Sequence, residues 1–133
     1  HGGWYPDRKT RLVRRGKARW TGMDPHDKLV AEGETRPLGG ELAHFTYRNF
    51  SHQLKIIDKF SDVAVEEYVK AGRRFSLFMF LFHPPVKFFE CYVWKLGFLD
   101  GWPGLVIAAA SAFYVRTKYV KLWEKTRNPK AAP

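Results

Sequence analysis

The chain reads as an α+β protein: short strands and loops over about residues 1–50, then a mostly α-helical C-terminal region. Three observations lead there. Gly16, Gly22, Pro25, Gly33, Pro37 and the pair Gly39-Gly40 interrupt the first third every few residues, leaving room only for short extended pieces. From Ser51 onward apolar residues recur at helical spacing. No alternation of strands and helices of the βαβ kind occurs anywhere, so a parallel sheet is not expected.

The elements follow in order. Arg11–Arg15 has a basic and apolar strand character, and Arg19-Trp20 and Lys28–Ala31 are further short strands. Glu41–Tyr47 alternates polar and apolar residues, as a half-buried strand does. Ser51 is a suitable N-cap. Behind it Leu54, Ile57, Phe60 or Ser61, Ala64 and Tyr68 recur at helical spacing and Lys55, Asp58, Lys59, Asp62, Glu66 and Lys70 fill the other face, which is an amphipathic helix. Gly72-Arg73-Arg74 breaks it. Phe75–Phe82 is apolar nearly all round, and Pro84-Pro85 is expected to stop that run. A second helix is expected from Val86 to about Leu96, a turn over Gly97–Gly104, and a third helix to about Lys125. One structural domain results, with a strand-loop region at 1–50, aromatic and basic helices at 51–127 and a disordered tail at 128–133.

Composition narrows the partners. Among 133 residues the net charge is +10 and 17% are aromatic, a balance that favours an anionic partner: nucleic acid, an acidic membrane surface or a phosphorylated substrate. Cys91 is alone, so no internal disulfide forms, and its apolar neighbours Phe88, Phe89, Tyr92 and Val93 make it a core residue rather than a nucleophile. No signal peptide is visible, and a chain starting at His1 rather than Met is expected to be processed or a fragment. The longest uncharged stretch, Gly101–Val115, falls short of the roughly 20 residues a spanning helix needs. Interleaved aromatic and basic residues in the helical half suit helices lying in a membrane interface, with rings at headgroup depth and cations on lipid phosphates. An aromatic-rich core with basic outer faces has the same composition; the lack of a polar face in Phe75–Phe82 favours the interface.

Trp20-Thr21-Gly22-Met23-Asp24-Pro25-His26-Asp27 puts an imidazole and two carboxylates within four positions, just after a basic stretch. Cations beside an acid and imidazole cluster suit chemistry on a phosphate-bearing substrate. A metalloenzyme built from this chain alone is disfavoured, because His26, His44, His52 and His83 lack ligand spacing. A serine hydrolase is disfavoured by the missing Gly-x-Ser-x-Gly elbow.

Trp4-Tyr5-Pro6-Asp7-Arg8, Arg11-Leu12-Val13-Arg14-Arg15, Trp20-Thr21-Gly22, Asp24-Pro25-His26-Asp27, Leu42–Tyr47, Gly97-Phe98-Leu99-Asp100-Gly101 and Lys118–Glu124 stand in an order and spacing that covers nearly the whole chain. Together they resemble the C-terminal half of family 2 glycosyltransferases, in the bacterial branch that extends lipopolysaccharide core sugars. The resemblance implies the acceptor half of a GT-A fold without its nucleotide-binding half, since no Asp-x-Asp donor motif is present. It implies inverting transfer from a nucleotide sugar to a lipid-linked glycan at the cytoplasmic face of the inner membrane, as a peripheral protein on an anionic surface. The divalent metal, Mg²⁺ or Mn²⁺, would be held mostly by the other half, and the isolated chain would be inactive alone. By the same resemblance Asp27 is the base with Asp24 as its alternate, His26 meets the metal or the diphosphate, Arg8 and Arg11 clamp phosphate, and Trp20 stacks on a sugar ring. Each has a plainer role: Asp24-Pro25 is common turn chemistry, Asp27 caps the next element, His26 bonds backbone in a turn, the arginines edge a strand and Trp20 sits in a core. His44 and His52 are expected to be structural or exposed.

Two other classes compete. A basic nucleic-acid-binding module is allowed by charge and aromatics, but the cations are spread along the chain and no helix-turn-helix, RNA-recognition or zinc-finger signature appears, so nucleic acid is not the expected partner. A non-enzymatic membrane-surface adaptor could be built on the helical half alone.

Overall fold

The structure, a computed structural model, describes residues 1–3, 8–22, 28–40 and 47–127. It consists of short strands followed by a helical region, as the α+β reading requires. It divides into two compact units, one of residues 7–46 and one of residues 1–6 with 47–133.

In the first unit Ala18–Trp20 (β1) and Leu29–Ala31 (β2) form a two-stranded antiparallel sheet. The register sets Ala18 opposite Ala31, Arg19 opposite Val30 and Trp20 opposite Leu29. The ladder extends one residue beyond each end: Thr21 N–H donates to the Lys28 carbonyl (3.0 Å) and Glu32 N–H to the Lys17 carbonyl (2.9 Å). The strand expected over Arg11–Arg15 does not form. Its C-terminal end is taken by a turn in which Lys17 N–H donates to the Arg14 carbonyl, with Gly16 at φ 77°. Three arginines and Lys17 within seven positions also repel one another in any extended pairing. The strand expected over Glu41–Tyr47 lies outside the described residues except for Tyr47.

The second unit is three helices arranged on one spine. Phe50–Lys70 (α1) buries Gln53, Ile57, Ser61 and Val65, four positions at i, i+4 spacing. Its N-cap is Asn49, not Ser51: the Asn49 carboxamide oxygen accepts from His52 N–H at 2.8 Å, which places Ser51 inside the first turn. The helix ends in a Schellman motif. Gly72 takes φ 67°, its N–H donates to the Val69 carbonyl, and Arg73 N–H reaches back to the Tyr68 carbonyl.

Leu77–Phe89 (α2), capped by Ser76, runs through Pro84 and Pro85 rather than stopping before them. A proline's fixed φ is itself helical; what the two rings remove are the amide donors for the Phe80 and Leu81 carbonyls. The loss is local, and Pro84 is buried on the side of α2 that meets the spine. The chain continues as a π turn over Glu90–Trp94, closed by the Lys95 N–H to Glu90 carbonyl bond, so the expected helix beginning at Val86 is the second half of α2 and its extension. Leu96 at φ 56° ends it, a 3₁₀ turn covers Gly97–Asp100, and Gly101–Arg127 forms α3. Thus α3 begins inside the stretch expected to be a turn; Pro103 sits in its first turn, where no donor is lost. The hairpin tip closes on two glycines. A Cβ on Gly97 would lie 2.6 Å from the Cys91 carbonyl oxygen, and one on Gly104 would strike the Gly97 carbonyl.

Helix α3 is the spine: α1 packs on it and α2 packs on it. The core is Val65, Val115, Tyr119 and Leu122, with Tyr68, Phe75, Phe80 and Tyr114 around it. Cys91 is buried and free, in keeping with a core role. The helical run Gly97–Arg127, 31 residues, is long and apolar enough to cross a membrane by length and composition, and only 22% of its most apolar window is buried. The uncharged stretch read as too short is therefore part of a longer apolar helix, because the 3₁₀ turn leads directly into α3 and helical structure continues past Arg116.

Candidate functional site

The basic strand-loop unit carries the residues singled out by sequence. Its described residues hold nine Lys and Arg against two carboxylates, Glu32 and Glu34. Both carboxylates are spoken for: Glu32 faces Lys17 at 3.8 Å and Glu34 takes Arg36 through two bonds of 3.2 and 3.3 Å. Among the described residues Arg8, Arg11, Arg14, Arg15 and Arg19 are exposed and enter no ion pair. An excess of guanidinium over carboxylate among the described residues gives this surface a positive character, and a guanidinium fork is suited to bind phosphate bidentately.

Trp20 closes β1. It is 63% exposed, so its indole is not a core residue. Strand alternation puts Trp20 and its partner Leu29 on one face and Arg19 with Val30 on the other. Just beyond Trp20, Thr21 and Lys28 fasten the neck of the connection: the Thr21 N–H to Lys28 carbonyl bond is matched by Lys28 N–H donating to the Thr21 hydroxyl at 3.0 Å. Sequence reading missed this neck, although Thr followed by Gly after a strand is a signal for it. Asp24, His26 and Asp27, in the stretch that joins β1 to β2, lie outside the described residues. Of the six residues expected to act, the structure thus places three: Arg8, Arg11 and Trp20, all exposed, with no described bond linking the arginines to the indole. Among the described residues no three His, Cys, Asp or Glu converge on a metal position, and no step is assigned to a metal here.

In the helical unit the two described internal histidines serve structure. His52 donates its N–H to the Asn49 cap, its Nδ1 accepts from Arg48 N–H at 3.3 Å, and its ring meets Tyr47 edge-on. Arg48, Asn49, Ser51, His52 and Lys55 line an open groove there. His83 joins α2 to α3 through a 2.7 Å bond between its Nδ1 and the Tyr119 hydroxyl. A tighter electrostatic cluster surrounds Tyr68. Lys118 Nζ donates to its hydroxyl at 3.0 Å, and Lys118 and Arg73 each stand 4.7 Å from its ring centre. Burial raises the pKa of this phenol, but the Lys118 bond and the two cations outweigh it and hold the pKa below the usual phenol value.

With that geometry in view, comparison with known proteins gives a relationship. The chain is 30% identical over 117 residues to the lipopolysaccharide core biosynthesis glycosyltransferase LpsC of Rhizobium meliloti (strain 1021). The match covers 84% of this chain and 43% of that protein. No family model matches the chain, and no solved structure does. The chain is therefore related to a lipopolysaccharide core glycosyltransferase and spans less than half the length of that relative.

Proposed function

We propose that this chain is the acceptor side of a glycosyltransferase that moves a sugar from a nucleotide-sugar donor to a lipid-linked or lipopolysaccharide-core acceptor. The observation that carries the reading is the similarity to LpsC across both units, not across one alone. The finer assignment is to the family 2, GT-A type, with inverting single displacement. In that mechanism the acceptor hydroxyl attacks the anomeric carbon, the bond to the nucleoside diphosphate breaks, and the hydroxyl proton goes to a carboxylate. Asp27 is assigned that proton, with Asp24 as the alternate. The guanidinium groups of Arg8 and Arg11, which enter no ion pair among the described residues, receive phosphate oxygens, either of the departing diphosphate or of the acceptor. The exposed Trp20 indole offers a face on which a sugar ring stacks. A divalent metal, Mg²⁺ or Mn²⁺, belongs to the donor half in this reading, and His26 is the one residue of this chain assigned to it. The strand-loop unit is the acceptor and catalytic region, and the helical unit brings it to the anionic cytoplasmic face of the inner membrane, where a lipid-linked acceptor resides.

The test uses the full-length protein that contains this chain, with a panel of nucleotide sugars and truncated lipopolysaccharide cores. Asp27→Asn should lower transfer about a thousandfold, within the range general-base removal gives, while the circular dichroism spectrum is unchanged. Full transfer by both Asp27→Asn and Asp24→Asn would remove the proton-acceptor assignment. Absence of transfer to any core acceptor with every donor would remove the glycosyltransferase reading.

A further inference from the structure

Helix α2 has its chemistry inverted. Phe80, Pro84 and Phe88, at i, i+4, i+8, lie on its more buried side. Phe78, Phe82, Val86 and Phe89 form the opposite stripe, continued by Val93 in the π turn. Those five are 46–63% exposed, and none is polar. A water-facing helix surface is normally the charged one. A contiguous apolar band of this kind marks a surface that meets something apolar.

The charges around the hairpin say what that is. From Phe75 to Val115 there are four charged residues, Lys87, Glu90, Lys95 and Asp100, which sum to zero. Glu90 accepts from both lysines, at 2.9 and 2.6 Å, and Asp100 meets His1 Nδ1 at 2.8 Å. Beyond that stretch on either side the chain turns basic: Arg73 and Arg74 before it, Arg116 and Lys118 after it. These cations sit among aromatic rings, Arg116 5.7 Å from the Phe80 ring centre and Arg73 and Lys118 on Tyr68. An apolar band, internally neutralised charges and a basic, aromatic collar at one end complement the acyl boundary and acidic headgroups of a bilayer.

We propose that the α2–α3 hairpin docks in the plane of an anionic lipid bilayer, with the Phe78–Phe82–Val86–Phe89 stripe in the acyl boundary and the Arg73, Arg74, Arg116 and Lys118 collar on lipid phosphates. The in-plane mode follows from the tip. Gly2 N–H donates to the Lys95 carbonyl at 2.9 Å and His1 is bonded to Asp100, so polar backbone and ion pairs crowd the end that a transverse hairpin would push through hydrocarbon. This deepens the membrane part of the function proposed above by naming the face. It is independent of the chemistry of transfer, and its test contains neither donor nor acceptor.

The test places single cysteines, in a Cys91→Ser background, at Phe82, Phe89 and the exposed Lys59 of α1, labels each with an environment-sensitive fluorophore and adds vesicles of phosphatidylcholine with one quarter phosphatidylglycerol. Labels at 82 and 89 should shift to the blue and be quenched most by spin labels near the headgroup end of the acyl chain; the label at 59 should stay aqueous. Phe82→Glu with Phe89→Glu should lower vesicle co-sedimentation at least tenfold with unchanged helicity, since both side chains face outward. Arg73→Ser with Arg74→Ser should weaken binding to the anionic vesicles about fivefold per cation and leave binding to pure phosphatidylcholine unaltered. Quenching deepest at the bilayer centre would overturn the in-plane mode. Unshifted labels at 82 and 89, or a dimer in sedimentation that buries the stripe without vesicle binding, would overturn the lipid assignment.

Discussion

Helices α1 and α2 lean on the same spine and turn opposite chemistry outward. Along α1 the outer line is Lys55, Lys59, Asp62, Glu66 and Lys70; along α2 the line at the same spacing is Phe78, Phe82, Val86 and Phe89. The inner faces differ as well. Helix α1 meets the C-terminal half of α3 through Val65 against Val115, Tyr119 and Leu122, and then fastens the contact with ion pairs. Helix α2 sets Pro84 on its inner face and relies on ring packing and the His83–Tyr119 bond. One contact has a closed core and a charged outer face; the other leaves its most apolar surface uncovered. Burial strength and surface chemistry are therefore separately set on the two sides of α3, and stability in water should be drawn from the α1 side.

The largest expected effect breaks the comparison if it fails. Leu122 is 1% exposed and sits where α1 meets α3. Leu122→Ala should cost about 3 kcal/mol in urea unfolding, the range for a truncated core leucine. Phe82→Ala removes more carbon from α2, yet its ring is 52% exposed, and the cost in water should stay within about 0.5 kcal/mol. Equal losses in the two variants would mean that the α2 stripe is buried in the protein as it folds in solution, and the contrast would fall.

Part of this contrast was legible in the sequence. Lys55 through Lys70 announced α1, Gly72 announced its end, and the lack of a polar face in Phe75–Phe82 announced that this stretch needed an apolar surrounding. What could not be read was decided at a distance. Pro84-Pro85 reads as a stop in any local rule, and only packing on α3 lets α2 continue. Leu96 at positive φ and the Gly97–Gly104 approach depend on how the tip closes, which local propensity does not encode. Ser51 is a suitable cap by residue type, but Asn49, two residues earlier, accepts from His52 N–H and starts the helix there. In the strand-loop unit the pairing of Arg19-Trp20 with Lys28–Ala31 was readable as two short strands. The exposure of Trp20 was not, because an indole in a strand is as often inward as outward, and a three-residue strand has too short an alternation to tell.

A smaller effect sharpens the α1 side. Lys121 Nζ lies 2.6 Å from an Asp58 carboxylate oxygen, 2.7 Å from one of Asp62 and 2.8 Å from the Asp58 backbone carbonyl. Desolvation pulls its pKa down, but the bonds and charges of the two carboxylates prevail and raise it above the ordinary lysine value of 10.5. A raised pKa contributes stability that is complete below the unfolded-state value and is lost as pH climbs through the folded-state value. Lys121→Met should therefore cost about 1 kcal/mol near neutral pH, and the wild-type advantage should hold flat through neutrality and decline only above about pH 10.5. An advantage that declines on acidification alone would assign the effect to the carboxylates and not to the ammonium.

The smallest effect tests the collar where the two sides meet. Tyr68 belongs to α1, while Arg73 follows its end and Lys118 comes from α3. The phenol's lowered pKa means that the phenolate is favoured in the folded state. A depressed pKa adds stability only above the unfolded-state value and the gain disappears as pH falls through the folded-state value, so Tyr68 contributes nothing of this kind at neutral pH. In an alkaline titration followed by phenolate absorbance, Tyr68 should ionise ahead of Tyr119, whose phenol burial pushes up. Tyr68→Phe should delete that first step, and Lys118→Met should delay it without deleting it. In the proposed docking mode Arg73 and Lys118 turn toward lipid phosphate, which would weaken their hold on the phenolate, so the same step should move to higher pH when anionic vesicles are present. A first step that vesicles leave unmoved would separate this cluster from the lipid-facing side and confine it to the α1–α3 contact.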